Sequence, residues 1–266
     1  MRLKINNTVL NVFEAGVGNY DKTRLTLIFL HYFGGSSQSW TEVIERLADD
    51  YHCVAPDLRG FGASDDSAES YTIKDYADDV QELIALLKIK NFALIGHSMG
   101  GKFALALAAR NPRNLQSLIL LAPSPPTPEP IPENERNRLL TTHGNRCVAT
   151  ETVCKAAALK LSAEIFERAV NDNLRSSEKA WRAWLERESR IDISAIMPNV
   201  AVPILVLSGE NDKGIGKDLL EHEVVRRIEG AKLVVIPDAG HLLPLEVPET
   251  VAKLIAKQIE LGLASD

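Results

Sequence analysis

The feature that most constrains this chain is the stretch Asn91-Phe-Ala-Leu-Ile-Gly-His-Ser-Met-Gly-Gly-Lys102. Phe92 to Ile95 form a short apolar run of the kind that fills a buried strand. Lys102 to Arg110 are rich in Ala and Leu with a helical period and no Gly or Pro. Between them lies Gly96-His97-Ser98-Met99-Gly100, so a strand must turn into a helix within a residue or two. In such a reversal the positions two before and two after the apex come nearly into contact. Only a residue without Cβ fits there, which accounts for Gly96 and Gly100, while Gly101 lets the helix pack close. The apex residue, Ser98, is driven towards positive φ, a strain of about 1–3 kcal/mol. Strain kept at a serine points to use. It lifts Oγ clear of the sheet and aims the first helical N–H groups at whatever Ser98 attacks.

The rest of the chain alternates β and α patterns. Leu3–Ile5 and Val9–Phe13 read as a hairpin with Asn6-Asn7 at its turn, and Asn19–Arg24 as a polar loop. Leu25–Leu30 is a continuous apolar run, expected of a strand buried on both faces. Helices are expected over Trp40–Ala48 and over Tyr71–Leu87, the latter with Thr72 as N-cap and Asp75, Asp78 and Asp79 near its positive end. Strands are expected at Cys53–Ala55 and Leu115–Leu121. Pro123 to Pro132 then hold six prolines in ten residues, a composition for stiff extended chain. Glu133 to about Met197 read as helices with no strand between them, the clearest being Glu178–Arg187 with Trp181 and Trp184 on one face. The alternation resumes with strands at Ile204–Leu207 and Leu233–Ile236 and helices at Asp218–Ile228 and Val247–Leu261. This pattern predicts a parallel sheet covered on both faces, interrupted by a helical insertion: core at 1–123 and 198–266, insertion at 124–197.

Strand, abrupt turn and helix around Gly-x-Ser-x-Gly are the context in which that motif carries meaning. On these residues the sequence resembles the α/β-hydrolase superfamily, and Gly96-His-Ser-Met-Gly-Gly101 looks like its nucleophile elbow. The resemblance implies an α/β-hydrolase fold with an eight-stranded, mostly parallel sheet, helices on both faces and a helical cap. A serine hydroxyl needs a base to take its proton, and the base needs a third group to hold its tautomer. By resemblance the base is His241, in the Gly-His of Asp238-Ala-Gly-His-Leu-Leu-Pro-Leu-Glu246. His97 should point away from Ser98 Oγ, and surface positions are expected for His52, His143 and His222. The acid should follow the strand Ile204–Leu207, where Gly209-Glu-Asn-Asp212 matches the superfamily's Gly-x-x-Asp and makes Asp212 the choice. Glu210 and Asp238 remain rivals. The order Ser98, Asp212, His241 is that of the fold.

An oxyanion hole needs two N–H donors. Met99 N–H, just after the nucleophile, is one. Resemblance to the His-Gly-x segment of many relatives makes Phe33 N–H the other, although Tyr32 stands where those relatives carry glycine. The Tyr32 ring either packs under the cap or puts a phenol near the pocket. His31 should brace this loop, and Asp57 and Arg59 should be architectural. Trp181 and Trp184 either line an apolar acyl site or pack the cap.

These parts imply hydrolysis of a carboxylic ester through an acyl-enzyme. Lactone hydrolysis (including acyl-homoserine lactones), carbon–carbon bond hydrolysis, cofactor-free perhydrolysis and a slow-turnover receptor are the alternatives. Epoxide hydrolases and haloalkane dehalogenases carry Asp where Ser98 stands and are disfavoured. No cluster has metal-ligand spacing, so neither metal nor organic cofactor is expected, only a small-molecule ester or lactone. With net charge −6 and mixed signs, no basic stripe suggests nucleic acid. Three cysteines without a C-x-x-C pair, no signal-peptide core and apolar runs too short for a bilayer suggest a soluble, cytoplasmic protein. Oligomeric state is not legible.

Overall fold

The computed structural model describes residues 1–16 and 25–263, so the expected polar loop Asn19–Arg24 lies outside the described residues. The chain runs through β1 (Arg2–Ile5), β2 (Thr8–Ala15), β3 (Thr26–Leu30), α1 (Thr41–Ile44), β4 (His52–Pro56), α2 (Ile73–Leu86), β5 (Phe92–His97), α3 (Met99–Ala108) and β6 (Leu115–Leu121). Four helices follow: α4 (Glu133–Thr141), α5 (Arg146–Ala156), α6 (Ala163–Arg175) and α7 (Glu178–Glu186). The chain ends with β7 (Ile204–Gly209), α8 (Lys217–Glu223), β8 (Lys232–Ile236), α9 (Leu243–Glu246) and α10 (Pro248–Leu263).

The eight strands form one sheet in the order β1-β2-β4-β3-β5-β6-β7-β8. β2 pairs antiparallel with β1 and β4, and every other pairing is parallel. The apolar runs of the central strands divide by the period of two. Ile28, Leu30, Leu94, Leu118, Leu120 and Val206 face a layer built from α2, α3 and α8. Leu27, Phe29, Ile95, Ile119, Leu121 and Leu207 face α1 and α10. A strand with apolar side chains on both faces is stable only between two such layers, so the continuous runs and the helical periods specify one another.

Helix ends follow local chemistry. Thr72 caps α2 in a reciprocal box with Asp75: Asp75 N–H donates to Thr72 Oγ1 at 3.1 Å and Thr72 N–H to Asp75 Oδ2 at 2.8 Å. Two expected helices are shorter or broken. In place of Trp40–Ala48 there is a 3₁₀ turn, Ser37–Trp40, the single turn α1, and then tightened turns such as Leu47 N–H to Ile44 O. Asp218–Ile228 breaks at Val224, where two β-branched valines in succession meet a φ of −117°, and continues as a 3₁₀ turn. The expected helix Val247–Leu261 is present as α10, and a separate single turn, α9, stands just before it. Pro248 disfavours helical backbone at Val247, which sits at φ −138° and ψ 52°, and then opens the next helix as its first residue.

No strand occurs among the described residues between β6 and β7, and Pro123 to Pro132 carry no regular element. The four helices there meet the carboxyl end of the sheet along two seams. Ala180, Trp181, Trp184 and Leu185 join the α2/α3 layer, and Val153, Ala169 and Val170 pack against Tyr32, Leu242 and Leu245. No helix among the described residues is long and apolar enough to cross a membrane.

Candidate active site

Ser98 stands between β5 and α3 with φ 52° and ψ −117°. A Cβ on Gly96 would come within 2.7 Å of Gly100 O, the contact expected across the turn. Gly100 has a different cause, because its Cβ would meet Leu30 O at 2.5 Å and His31 O at 2.6 Å. The elbow is thus pressed against the end of β3 as well as against itself. The backbone of the apex residue is bonded on both sides: Ser98 N–H donates to Leu121 O at 2.9 Å, and Ser98 O accepts from Gly101 and Ser124 N–H. That network holds the positive φ in place.

His241 Nε2 lies 2.9 Å from Ser98 Oγ, and its Nδ1 lies 2.7 Å from Asp212 Oδ2. A carboxylate only accepts, so Nδ1 carries the hydrogen and Nε2 is left bare to accept the Ser98 hydroxyl. Asp212 is oriented in turn, its Oδ1 accepting from Gly214 N–H at 2.8 Å and Ile215 N–H at 3.0 Å. Burial opposes ionisation of Asp212, but the His241 charge and hydrogen bond and the two backbone donors outweigh it and hold the carboxyl down at about 2. Burial also opposes protonation of His241, yet the Asp212 charge and hydrogen bond raise its pKa above the ordinary value. The three side chains can therefore pass a proton from Oγ to the imidazole while Asp212 stays ionised.

The rival carboxylates stand elsewhere. Glu210 and Asp238 are exposed and bond each other, Asp238 N–H donating to Glu210 Oε2. His52, His143 and His222 bond Glu14, the Ser176 carbonyl and Glu223, away from Ser98. Asp57 accepts from Ser37 and Ala63 N–H and from Asn11, and Arg59 pairs with Asp79 through Nε at 2.6 Å, so both are used by the fold.

The loop after β3 is braced from below. His31 Nε2 accepts Leu58 N–H at 3.0 Å, so its Nδ1–H donates to Tyr32 O at 2.8 Å. Gly35 N–H donates to the same carbonyl at 3.0 Å. Across a trans peptide the N–H points opposite to the C=O, so Phe33 N–H faces away from these braces. Neither Phe33 N–H nor Met99 N–H donates to an acceptor among the described residues. The Tyr32 side chain packs under the helices that follow β6. Its ring leans 5.1 Å from the His97 ring and joins Val170, Leu242 and Leu245.

Ser98, Asp212 and His241 open into a cavity of about 420 Å³ that Tyr32, Phe33 and Trp184 also line. The two tryptophans part company. Trp184 reaches the cavity, whereas Trp181 stacks on the Phe33 ring at 4.2 Å and donates its indole N–H to Leu139 O, packing rather than lining.

Two supporting residues had no role in the sequence reading. His97 is buried beneath the site, held neutral by burial with its pKa down at about 3, and its Nε2–H donates to His241 O at 2.8 Å. Glu246 accepts four backbone donors: Ala158 N–H and Leu159 N–H at 2.8 Å, Gly240 N–H and Leu242 N–H at 2.9 Å. One carboxylate thus ties the His241 loop to the α5–α6 connection, and His241 N–H adds a bond to Ala156 O at 2.8 Å. Only the spacing of a glutamate five residues past a loop histidine hints at this. Glu246→Ala leaves these donors without their acceptor. It is expected to destabilise the protein by about 2–3 kcal/mol in urea unfolding and to lower kcat about tenfold by loosening His241. A stability loss with unchanged kcat would show that the loop holds His241 without it.

The model of a family described as the alpha/beta hydrolase fold matches residues 26–146. A 2-(acetamidomethylene)succinate hydrolase from Mesorhizobium japonicum is 27% identical over 97% of this chain and 94% of its own length. A 3-oxoadipate enol-lactonase from Acinetobacter baylyi is 25% identical over 85% of each chain. Among solved structures, a thermophilic esterase from Thermogutta terrifontis superposes with a TM-score of 0.83 at 28% identity, covering 98% of this chain and 99% of that one.

Proposed function

We propose that this chain, which belongs to the α/β-hydrolase superfamily and is a hydrolase, cleaves uncharged or weakly polar carboxylic esters through an acyl-enzyme on Ser98. The observation that carries the reading is the pair of short contacts at His241, 2.9 Å to Ser98 Oγ and 2.7 Å to Asp212 Oδ2. In this mechanism His241 Nε2 takes the Oγ proton as Oγ attacks the carbonyl carbon. Met99 and Phe33 N–H hold the oxygen that becomes negative. The tetrahedral species collapses, the alcohol leaves with the proton from His241, and water, deprotonated by the same imidazole, releases the acid. Asp212 stays ionised throughout and stabilises the imidazolium. Nothing in the scheme calls for a metal or organic cofactor.

The helices over 124–197 are read as a cap on a core of 1–123 and 198–266. The bonds from Ala156, Ala158 and Leu159 to the His241 loop support that reading, because they fasten the segment at the site. A cytoplasmic setting fits the three free cysteines.

Lactones are the second reading, favoured by the enol-lactonase among the similar proteins. The chemistry is the same with a tethered leaving group. Turnover of short p-nitrophenyl esters beside a panel of γ- and δ-lactones separates the two. Stoichiometric labelling by a fluorophosphonate with negligible turnover of both would favour a receptor instead.

The charge state of His241 adds a pH expectation. The base acts only when neutral, and its pKa is raised from 6.5. So kcat/KM for a neutral ester should rise with pH through a midpoint above about 6.5 and fall away on the acid side. A profile flat from pH 5 to 9 would speak against an imidazole base.

A further inference from the structure

One carboxylate in the cavity has no place in the scheme above. Glu129 lines the same cavity as Ser98 and His241. It lies in the proline-rich run, with Pro128 and Pro130 on either side to fix φ around it. The run is also fastened from outside. Glu129 N–H donates to Ser189 O at 2.7 Å, Ile193 N–H to Pro126 O at 2.7 Å, and Lys102 Nζ to Thr127 O at 3.1 Å and Ile191 O at 2.7 Å. The backbone has little freedom to withdraw the side chain from the cavity.

Glu129 Oε2 is shielded from solvent and has no hydrogen-bond partner in the protein. Ser124 Oγ, fully buried, is the nearest donor and favours the ionised carboxyl, yet the pair falls short of hydrogen-bond geometry. The cations within electrostatic reach are committed elsewhere. Lys102 holds its two carbonyls, Arg136 directs Nη1 to Leu185 O and Ser189 Oγ while its Nε hydrogen-bonds neither Glu129 nor any other acceptor, and His241 holds Asp212. A buried acceptor without a donor is costly, and a fold that keeps one in a substrate cavity calls for an explanation.

Resting on the hydrolase reading of this cavity, we propose that Glu129 determines specificity by accepting a hydrogen bond from a hydroxyl group on the chain of the bound ester. A hydroxyl suits the site better than the other donors or charges. An ammonium would be repelled by Lys102, Arg136 and the imidazolium formed during turnover, and a carboxylate would face Glu129 itself. Lys155, Lys213 and Arg138 also border the cavity, but the two lysines are exposed, where solvent and salt weaken their pull on an anionic substrate, and half-buried Arg138 is already paired with Glu135 and Glu151. A plain alkyl chain leaves the acceptor unpaired, the kind of mismatch that a built polar site rejects strongly.

The test compares ethyl hexanoate with ethyl 3-hydroxyhexanoate, ethyl 6-hydroxyhexanoate, 2-hydroxyethyl hexanoate and monoethyl adipate in the full-length protein. Wild type is expected to prefer at least one hydroxylated ester over ethyl hexanoate by about 10- to 100-fold in kcat/KM, a charge-assisted hydrogen bond's worth of selection. Glu129→Leu should bring that ratio to about one, and Glu129→Gln, which keeps the size and one acceptor, should retain part of it. Monoethyl adipate should gain relative to ethyl hexanoate in both variants. A ratio unaltered by Glu129→Leu, including a case where all esters fall together, overturns the proposal, as does a wild type with no hydroxyl preference. Calorimetry with the same ester pair on Ser98→Ala reads the subsite without turnover. A preference present there and lost in Ser98→Ala/Glu129→Leu upholds the subsite even if wild type hydrolyses none of the esters, an outcome that removes the hydrolase reading alone.

Discussion

Ser98→Ala is expected to lower kcat for a short p-nitrophenyl ester on the order of a million-fold while leaving the fold intact. The magnitude follows from losing the atom that forms the acyl-enzyme, after which only binding and oxyanion contacts act on the substrate. Folding should survive because Ser98 Oγ makes one bond in the structure, to His241, and caps no helix. Alanine keeps the Cβ and inherits the same positive φ, so strain is unchanged. Initial rates give the loss, and thermal unfolding within a few degrees of wild type assigns it to chemistry. Loss of fluorophosphonate labelling completes the case. Activity above a trace with normal labelling would require a different nucleophile.

Asp212→Asn should reduce kcat by about ten-thousand-fold, and the geometry explains why so small a change is so severe. Oδ1 is held by two backbone donors, Gly214 and Ile215 N–H. The asparagine oxygen inherits those bonds, so its NH₂ must face His241 Nδ1. An NH₂ donates, and Nδ1 must then accept. The ring hydrogen moves to Nε2, which can no longer take the Ser98 proton. Loss of the carboxylate also removes what raises the His241 pKa, so the acid limb of the pH profile should shift down. A kcat within tenfold of wild type would end the assignment of the acid. Glu210 and Asp238 would be poor replacements, since both are exposed and bond each other.

The elbow is legible because its cause is local: a strand, a helix and two glycines within about ten residues. Thr72 as a cap is legible for the same reason. Gly100 was assigned the right constraint with an incomplete cause, because the carbonyls of Leu30 and His31 arrive from a distant strand. Trp181 and Trp184 share a helical face, and no period tells which one the fold stacks on Phe33 and which it leaves facing the cavity. Glu246 and Glu129 read in sequence as ordinary charges. Their partners, or the want of them, lie across long loops.

What the letters of this chain determine alone is a two-sided sheet, its order of elements and a serine at a strained turn, because these follow from side-chain period and backbone sterics between near neighbours. What only the tertiary structure decides is which side chains meet. The contacts of Ser98 with His241 and of His241 with Asp212, the four donors on Glu246 and the unpaired oxygen of Glu129 join residues far apart in the chain. A hydrogen bond depends on tenths of an ångström and on direction, and such precision exists only once the sheet, its two helical layers and the segment over its edge are packed together.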